Sequence, residues 1–253
     1  NDISNQDKER FSDAVLRRLY VLNYAQNGMW NYFTSVYFMQ TNDANGKLDD
    51  VKFCTFLTKI TAFIWTYAIT NPGVNALRTP VYAEMVNLIE GKDIEFSDFK
   101  FDPATVKSMF KNYYFSNGRP ITKSMLTWWA FHDDNQPLLS LESIFEIEHI
   151  FARKRQENEN SLSNTGKLES LGNKVLLEKK INIRASDYRF TDKIKYYKGF
   201  TNDKGQQKDG TKILELQNFV KTKTDFTETD IDSRQNEIVD SFLEFLKQNN
   251  LTK

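Results

Sequence analysis

Four side chains in the middle of the chain have the types and spacing to do chemistry. Glu148 and His149 lie near the end of an apolar run that starts at Leu138. Leu171-Gly172-Asn173 opens a second apolar run, and Asn182 stands nine positions beyond Asn173. An imidazole with an unperturbed pKa of about 6.5 is largely unprotonated at neutral pH, so His149 can take a proton from an attacking water. Glu148 and Asn182 offer oxygen donors, one charged and one neutral, which suit Mg2+ or Mn2+ better than zinc. The Asn173 amide both donates and accepts, and can tie down the backbone around His149. Lys174, Lys180, Arg184, Arg189 and Lys193 are cations beside these groups, of the kind that contact phosphate oxygens without reading sequence. Together they describe metal-assisted hydrolysis of a phosphodiester, with the ion stabilising charge on the phosphate and the departing oxygen. Each group also has a plainer reading. His149 could bond the backbone, Glu148 could pair with a surface cation, Gly172-Asn173 could be a simple turn, and Asn182 could cap or turn the chain.

These groups need elements to hold them. Leu138 to Phe151 alternates and is rich in Leu, Ile and Phe, which predicts a strand, and Asn173 to Leu177 predicts a second. The polar stretch 153–170 between them reads as a loop, and 179–185 as a helical turn. Before the strands, helical spacing or helix-start residues mark 9–24, 29–40, the run from Val51 to Ile69, and helices opening at Thr79-Pro80, Asp102-Pro103 and Pro120. Asp49 or Asp50 is placed to cap the third of these. Ile94 to Phe101 reads as extended. After the strands come a helix over 191–197, a polar loop over 201–211, and helices over 212–223 and 228–248. The expected fold class is mainly α, a helical domain with an embedded ββα strand pair and helix. Its parts are a helical N-terminal region (1–137), the ββα element (138–200) and C-terminal helices packing on the same domain (201–253).

Composition narrows the function classes. Formal charge is zero, yet residues 146–200 carry 12 Lys/Arg against 8 Asp/Glu, while 1–145 and 201–253 are each net −2. The positive excess falls on the candidate site, where a basic field attracts a polyanion. Cys54 is the only cysteine, which excludes an intrachain disulfide and a multi-cysteine zinc site, and accords with a reducing cytoplasm. The chain begins at Asn1, and its polar start has no signal-peptide pattern, so it reads as a fragment of a longer protein or a processed form. Lys52, Lys59 and several threonines make the run from Val51 a core helix and not a membrane span. The 20 Phe and 11 Tyr are expected mostly in packing.

The stretch resembles the HNH, or ββα-metal, endonucleases. The separation of Asn173 from Asn182 is similar to that in His-Asn-Asn members, including the HNH domain of the RNA-guided CRISPR nuclease. The longer context resembles the C-terminal nuclease family of GmrSD-type, modification-dependent (type IV) restriction systems. That family's run of an acidic residue, His, Ile, any residue and Pro reads here Glu148-His149-Ile150-Phe151-Ala152. Its Leu-Gly-Asn is Leu171-Gly172-Asn173, its later Asn is Asn182, and its Phe–Lys–Tyr helix is Phe190, Lys193 and Tyr197. The segment Phe226 to Arg234 is similar to the family's ending. Ala152 departs from the pattern and removes the stiffening a proline gives the turn after the base. The resemblance implies a metal-dependent DNA endonuclease for restriction or phage defence. His149 would be the base, Asn173 the orienting residue, and Glu148 and Asn182 the ligands of Mg2+ or Mn2+. DNA, with modified phage DNA among the candidates, would be the partner, and an upstream nucleotide-hydrolysing domain would lie outside this sequence. The competing expectation is a catalytically inactive nucleic-acid-binding or partner-docking helical module.

Overall fold

The computed structural model describes residues 9–73 and 75–253; the polar start of the chain lies outside the described residues. The chain is mainly α, with eleven α-helices and two small two-stranded sheets among the described residues. It divides into two compact units. Among the described residues, one runs from Tyr114 to Ile238, and the other joins those from Glu9 to Tyr113 with Val239–Lys253.

The second of these is helical. It holds α1 (Asp13–Leu22), α2 (Met29–Thr41), α3 (Asp50–Thr70), α4 (Arg78–Ile89) and α5 (Pro103–Asn112). Side-chain caps start three of them, where Ser12, Asp49 and Asp102 accept from the backbone N–H three residues on. The expected aromatic packing is present: Tyr37 stacks on Phe56 at 4.1 Å and Phe63 on Phe96 at 3.7 Å. By length and composition α3 could cross a membrane, but 61% of its apolar window is buried in the protein, as a core helix would be. The segment Ile94–Phe101 is not an extended patch. Glu84, buried on α4, accepts from the N–H groups of Glu95 and Phe96, and Ser97–Phe99 is a 3-10 turn. A carboxylate from another element dictates that bend, and alternation in the sequence carries no sign of it.

The unit that carries the candidate site holds α6 (Pro120–Phe131), β1 (Phe145–His149), α7 (Arg153–Glu159), β2 (Lys174–Glu178), α8 (Lys179–Ala185), α9 (Phe190–Lys198), β3 (Gly199–Thr201), β4 (Gln207–Asp209), α10 (Leu214–Thr222) and the part of α11 (Glu228–Gln248) up to Ile238. β1, β2 and α8 supply the expected strand, strand and helix. The first strand is shorter than its apolar run, because residues 138–144 have no partner strand. The stretch 153–170 is not one loop, since it contains α7 and a 3-10 turn at Thr165–Glu169. The stretch 201–211 contains one strand of a hairpin, closed where Asn202 accepts from Lys204 and Gln206. α6, read from sequence as part of the N-terminal region, packs on β2, and Lys123 donates to the carbonyl of Phe145 at 2.7 Å. Periodicity marks a helix's apolar face and does not say what that face covers.

The entry to β2 is held by α11. Arg234 is buried and forms a bidentate pair with Glu215. Its remaining nitrogen donates to the carbonyls of Leu171, Gly172 and Lys174. Gln235 accepts from the N–H of Gly172 at 2.7 Å. Gly172 is required by this close approach: a Cβ there would lie 2.0 Å from the carbonyl oxygen of Ile231. Gly172→Ala must push α11 away from the turn, and a loss of about 3 kcal/mol is expected on chemical denaturation. An alanine variant as stable as the parent would show that the turn and helix are not in contact.

Candidate active site

β1 and β2 pair antiparallel, with Glu148 opposite Val175 and His149 opposite Lys174. Successive strand side chains point to opposite faces. Glu146 and Glu148 therefore share one face, and Ile147 and His149 the other. The surroundings of the two sets bear this out.

On the first face, Oε1 of Glu148 accepts from the Tyr197 hydroxyl at 2.7 Å and pairs with the Lys193 ammonium at 2.8 Å. All three side chains are buried. Burial pushes the Glu148 carboxyl up, against the pull of Lys193 and Tyr197. Burial and then the Glu148 charge push the Tyr197 hydroxyl far above its usual range. Lys193 also donates to the backbone carbonyl of His149 at 2.6 Å. The Phe–Lys–Tyr spacing on α9 thus puts Lys193 and Tyr197 on one carboxylate, one helical turn apart, with Phe190 in the core. Asn182 on α8 donates to Glu146, at 2.9 Å, and not to Glu148.

On the second face, Nε2 of His149 lies 3.4 Å from Oε1 of Glu169, buried but without the alignment of a hydrogen bond. Glu169 ends the 3-10 turn before Leu171. It accepts from Lys174 at 2.7 Å and from Arg153, which stays half-exposed. Lys174 is fully buried and also donates to Asn117. Burial, then the Lys174 and Arg153 charges, bring the His149 pKa down to about 4, against the pull of Glu169. Burial would raise the Glu169 carboxyl, but the hydrogen bonds and charges of Lys174 and Arg153 prevail and hold it below its ordinary range.

Asn173 lies where its amide governs the turn after His149. Its Oδ1 accepts from the N–H of Phe151 at 2.7 Å, and its Nδ2 donates to the carbonyls of Phe151 and Leu168. Its own carbonyl accepts from Ile150. A proline at 152 is not needed to shape this turn, because Ala152 already sits at φ −67, the angle a proline would impose.

The structure therefore separates the four expected groups. His149 and Asn173 meet at one end of the strand pair, while Glu148 and Asn182 lie on the face away from the imidazole and bond other partners. A hard divalent ion needs oxygen lone pairs converging on one point. Glu148 does not offer that, because an ammonium already neutralises it in a buried setting, and Asn182 is tied to Glu146. No group of three or more His, Cys, Asp or Glu side chains could hold a metal among the described residues. As arranged, Glu148 and Asn182 do not fit Mg2+ or Mn2+. Two of the five expected phosphate contacts are also reassigned. Lys174 and Lys193 are buried ion-pair members, out of reach of a backbone phosphate. Arg184 is partly buried and donates to the carbonyl of Asp209. Lys180 and Arg189 are exposed, the latter paired with Glu159. Glu169, Arg153 and Asn117 were not singled out by the sequence, since they lie outside every motif and reach the site only through folding.

Two outcomes follow from these charges. Lys193→Met leaves Glu148 buried without its cation and should cost about 3–5 kcal/mol on chemical denaturation, with much of the loss recovered in the Glu148→Gln/Lys193→Met double variant. A single-variant loss under about 1 kcal/mol would mark the pair as solvated. Stability should also depend on pH through His149. Above about pH 6.5 the imidazole is neutral in both states; between there and about pH 4 the unfolded chain binds a proton that the folded one refuses. Stability contributed by this group is complete above the window and falls through it on acidification, by up to about 3 kcal/mol. His149→Gln should flatten that part of the profile in denaturant midpoints measured across the window, and an unchanged slope would assign it to other groups.

A family model described as the C-terminal domain of GmrSD restriction endonucleases matches residues 100–241, more than half of the chain. No curated protein and no solved structure matches it. The matched span contains the strand pair, the Leu-Gly-Asn turn, the Phe–Lys–Tyr helix and the arginine that clamps the turn. The chain belongs to the family of GmrSD restriction endonuclease C-terminal domains.

Proposed function

We propose that this restriction-type nuclease domain cleaves DNA in the HNH manner, with His149 as the general base that draws a proton from the attacking water. The carrying observation is the placement of the imidazole. His149 stands at the end of β1 with 12% of its side chain exposed, its carbonyl held by Lys193 and the following turn held by Asn173. A base must be unprotonated and held in a fixed geometry, and a pKa brought down to about 4 keeps this imidazole neutral at physiological pH. Arg153, Lys180 and Arg189 are the cations suited to contact DNA phosphates, and the cytoplasm is the proposed location. Modified phage DNA as the target and an upstream nucleotide-hydrolysing domain belong to this reading on the resemblance alone. The resemblance also carries a requirement for Mg2+ or Mn2+. Because Glu148 and Asn182 do not fit such an ion as arranged, no step is assigned to one.

Nicking of supercoiled plasmid by the chain, run in Mg2+, in Mn2+ and with EDTA, tests the reading. His149→Ala should lower the rate by roughly 100-fold or more, the scale of a lost general base, with far-UV circular dichroism unchanged. Parent-like nicking by the pure variant excludes His149 as the base. The occupation of Glu148 by Lys193 favours one second reading, a DNA-binding module that does not cut. DNA retention in EDTA, with no nicking in either metal, selects it.

A further inference from the structure

Resting on that reading of His149, we propose that Glu169 is a positioning residue for the base: its carboxylate holds the proton of His149 on Nε2 and leaves Nδ1 as the nitrogen that meets water. The register that sets His149 opposite Lys174 puts both side chains on the face where Glu169 lies. Glu169 is itself immobilised. Lys174 and Arg153 bond its two oxygens, and its backbone carbonyl accepts from Phe115 at 2.9 Å. Two cations against a buried carboxylate keep it ionised, so it accepts and does not donate. Nε2 is buried, 3.4 Å from Oε1, and makes no hydrogen bond. A buried ring nitrogen without a partner costs about 1–3 kcal/mol, so there is a driving force to turn the ring slightly and close this bond. A neutral imidazole has one N–H, and a proton fixed on Nε2 leaves the lone pair on Nδ1.

The chemistry balances on these atoms. Nδ1 takes a proton from water as the water oxygen bonds to phosphorus. The bond from phosphorus to the leaving oxygen breaks, that oxygen keeps the electron pair, and solvent protonates it. The imidazolium then carries a positive charge facing Glu169, which stabilises it in the same step. A purely structural Glu169, serving only as counter-ion to Lys174 and Arg153, would leave the imidazole tautomer unaffected.

Nitrogen-15 NMR of the histidine rings in the 253-residue chain separates the two roles, with His132→Asn assigning the signal of the other histidine. The parent should show His149 as the Nε2–H tautomer, whether or not the chain cuts plasmid under the conditions used. Glu169→Gln should lose that preference and slow plasmid nicking by about 100-fold in kcat, with KM changed less than about twofold. Because Glu169→Gln leaves Lys174 buried and uncompensated, Glu169→Gln/Lys174→Met provides the same test at balanced charge. An Nδ1–H tautomer in the parent, or an Nε2–H tautomer kept by the double variant, overturns the assignment. So does parent-like kcat in a double variant when His149→Ala is inactive. Parent-like nicking by His149→Ala instead overturns the reading of His149 as the base, and does so independently of the tautomer.

Discussion

The amide of Asn173 exchanges hydrogen bonds with both backbone groups of Phe151, and the end of the strand pair depends on that exchange. Regular pairing stops at His149 opposite Lys174. Beyond that point the chain must turn into α7 while its backbone groups lie buried, and buried backbone groups have to be paired. A side-chain amide is suited to the task because it carries a donor and an acceptor in one plane, so it extends the ladder by one rung without a further strand residue. His149 is adjacent to the rung and inherits its rigidity.

The rung in turn needs a fixed Asn173. Gly172 lets α11 approach to a distance no side chain would permit. Arg234 then bonds three carbonyls of the turn and is neutralised by Glu215, which also accepts from Trp129. Residues far apart in sequence therefore act on a single turn. The Leu-Gly-Asn motif and Arg234 are two halves of one contact.

Charge is distributed over the strand pair so that each buried carboxylate has a buried lysine. Glu148 pairs with Lys193 on one face, and Glu169 with Lys174 on the other. A buried charge is tolerated only when paired and hydrogen-bonded, and in such a setting the loss of one partner is more damaging than the pair is stabilising. This arrangement explains why two lysines beside a proposed nuclease base do not serve as phosphate contacts. It also explains why the carboxylate next to the base in sequence is not beside it in space.

Much of the architecture was legible in local chemistry. Asp49 and Asp102 cap the helices they precede, Pro103 and Pro120 sit in the first turns of theirs, and the apolar runs near 145 and 174 are strands. That His149 and Asn173 stand at the facing ends of two strands was legible as well, because their spacing reflects a strand, a connection and a return strand. What the sequence by itself determined was this set of elements and the identity of the groups able to do chemistry. Tertiary structure decided which groups share a face. Glu148 and His149 are neighbours in the chain, yet the two-residue period of a strand sends them to opposite sides, where α9 meets one and the turn ending at Glu169 meets the other. No local pattern encodes that second step, because it depends on which distant element packs against each face.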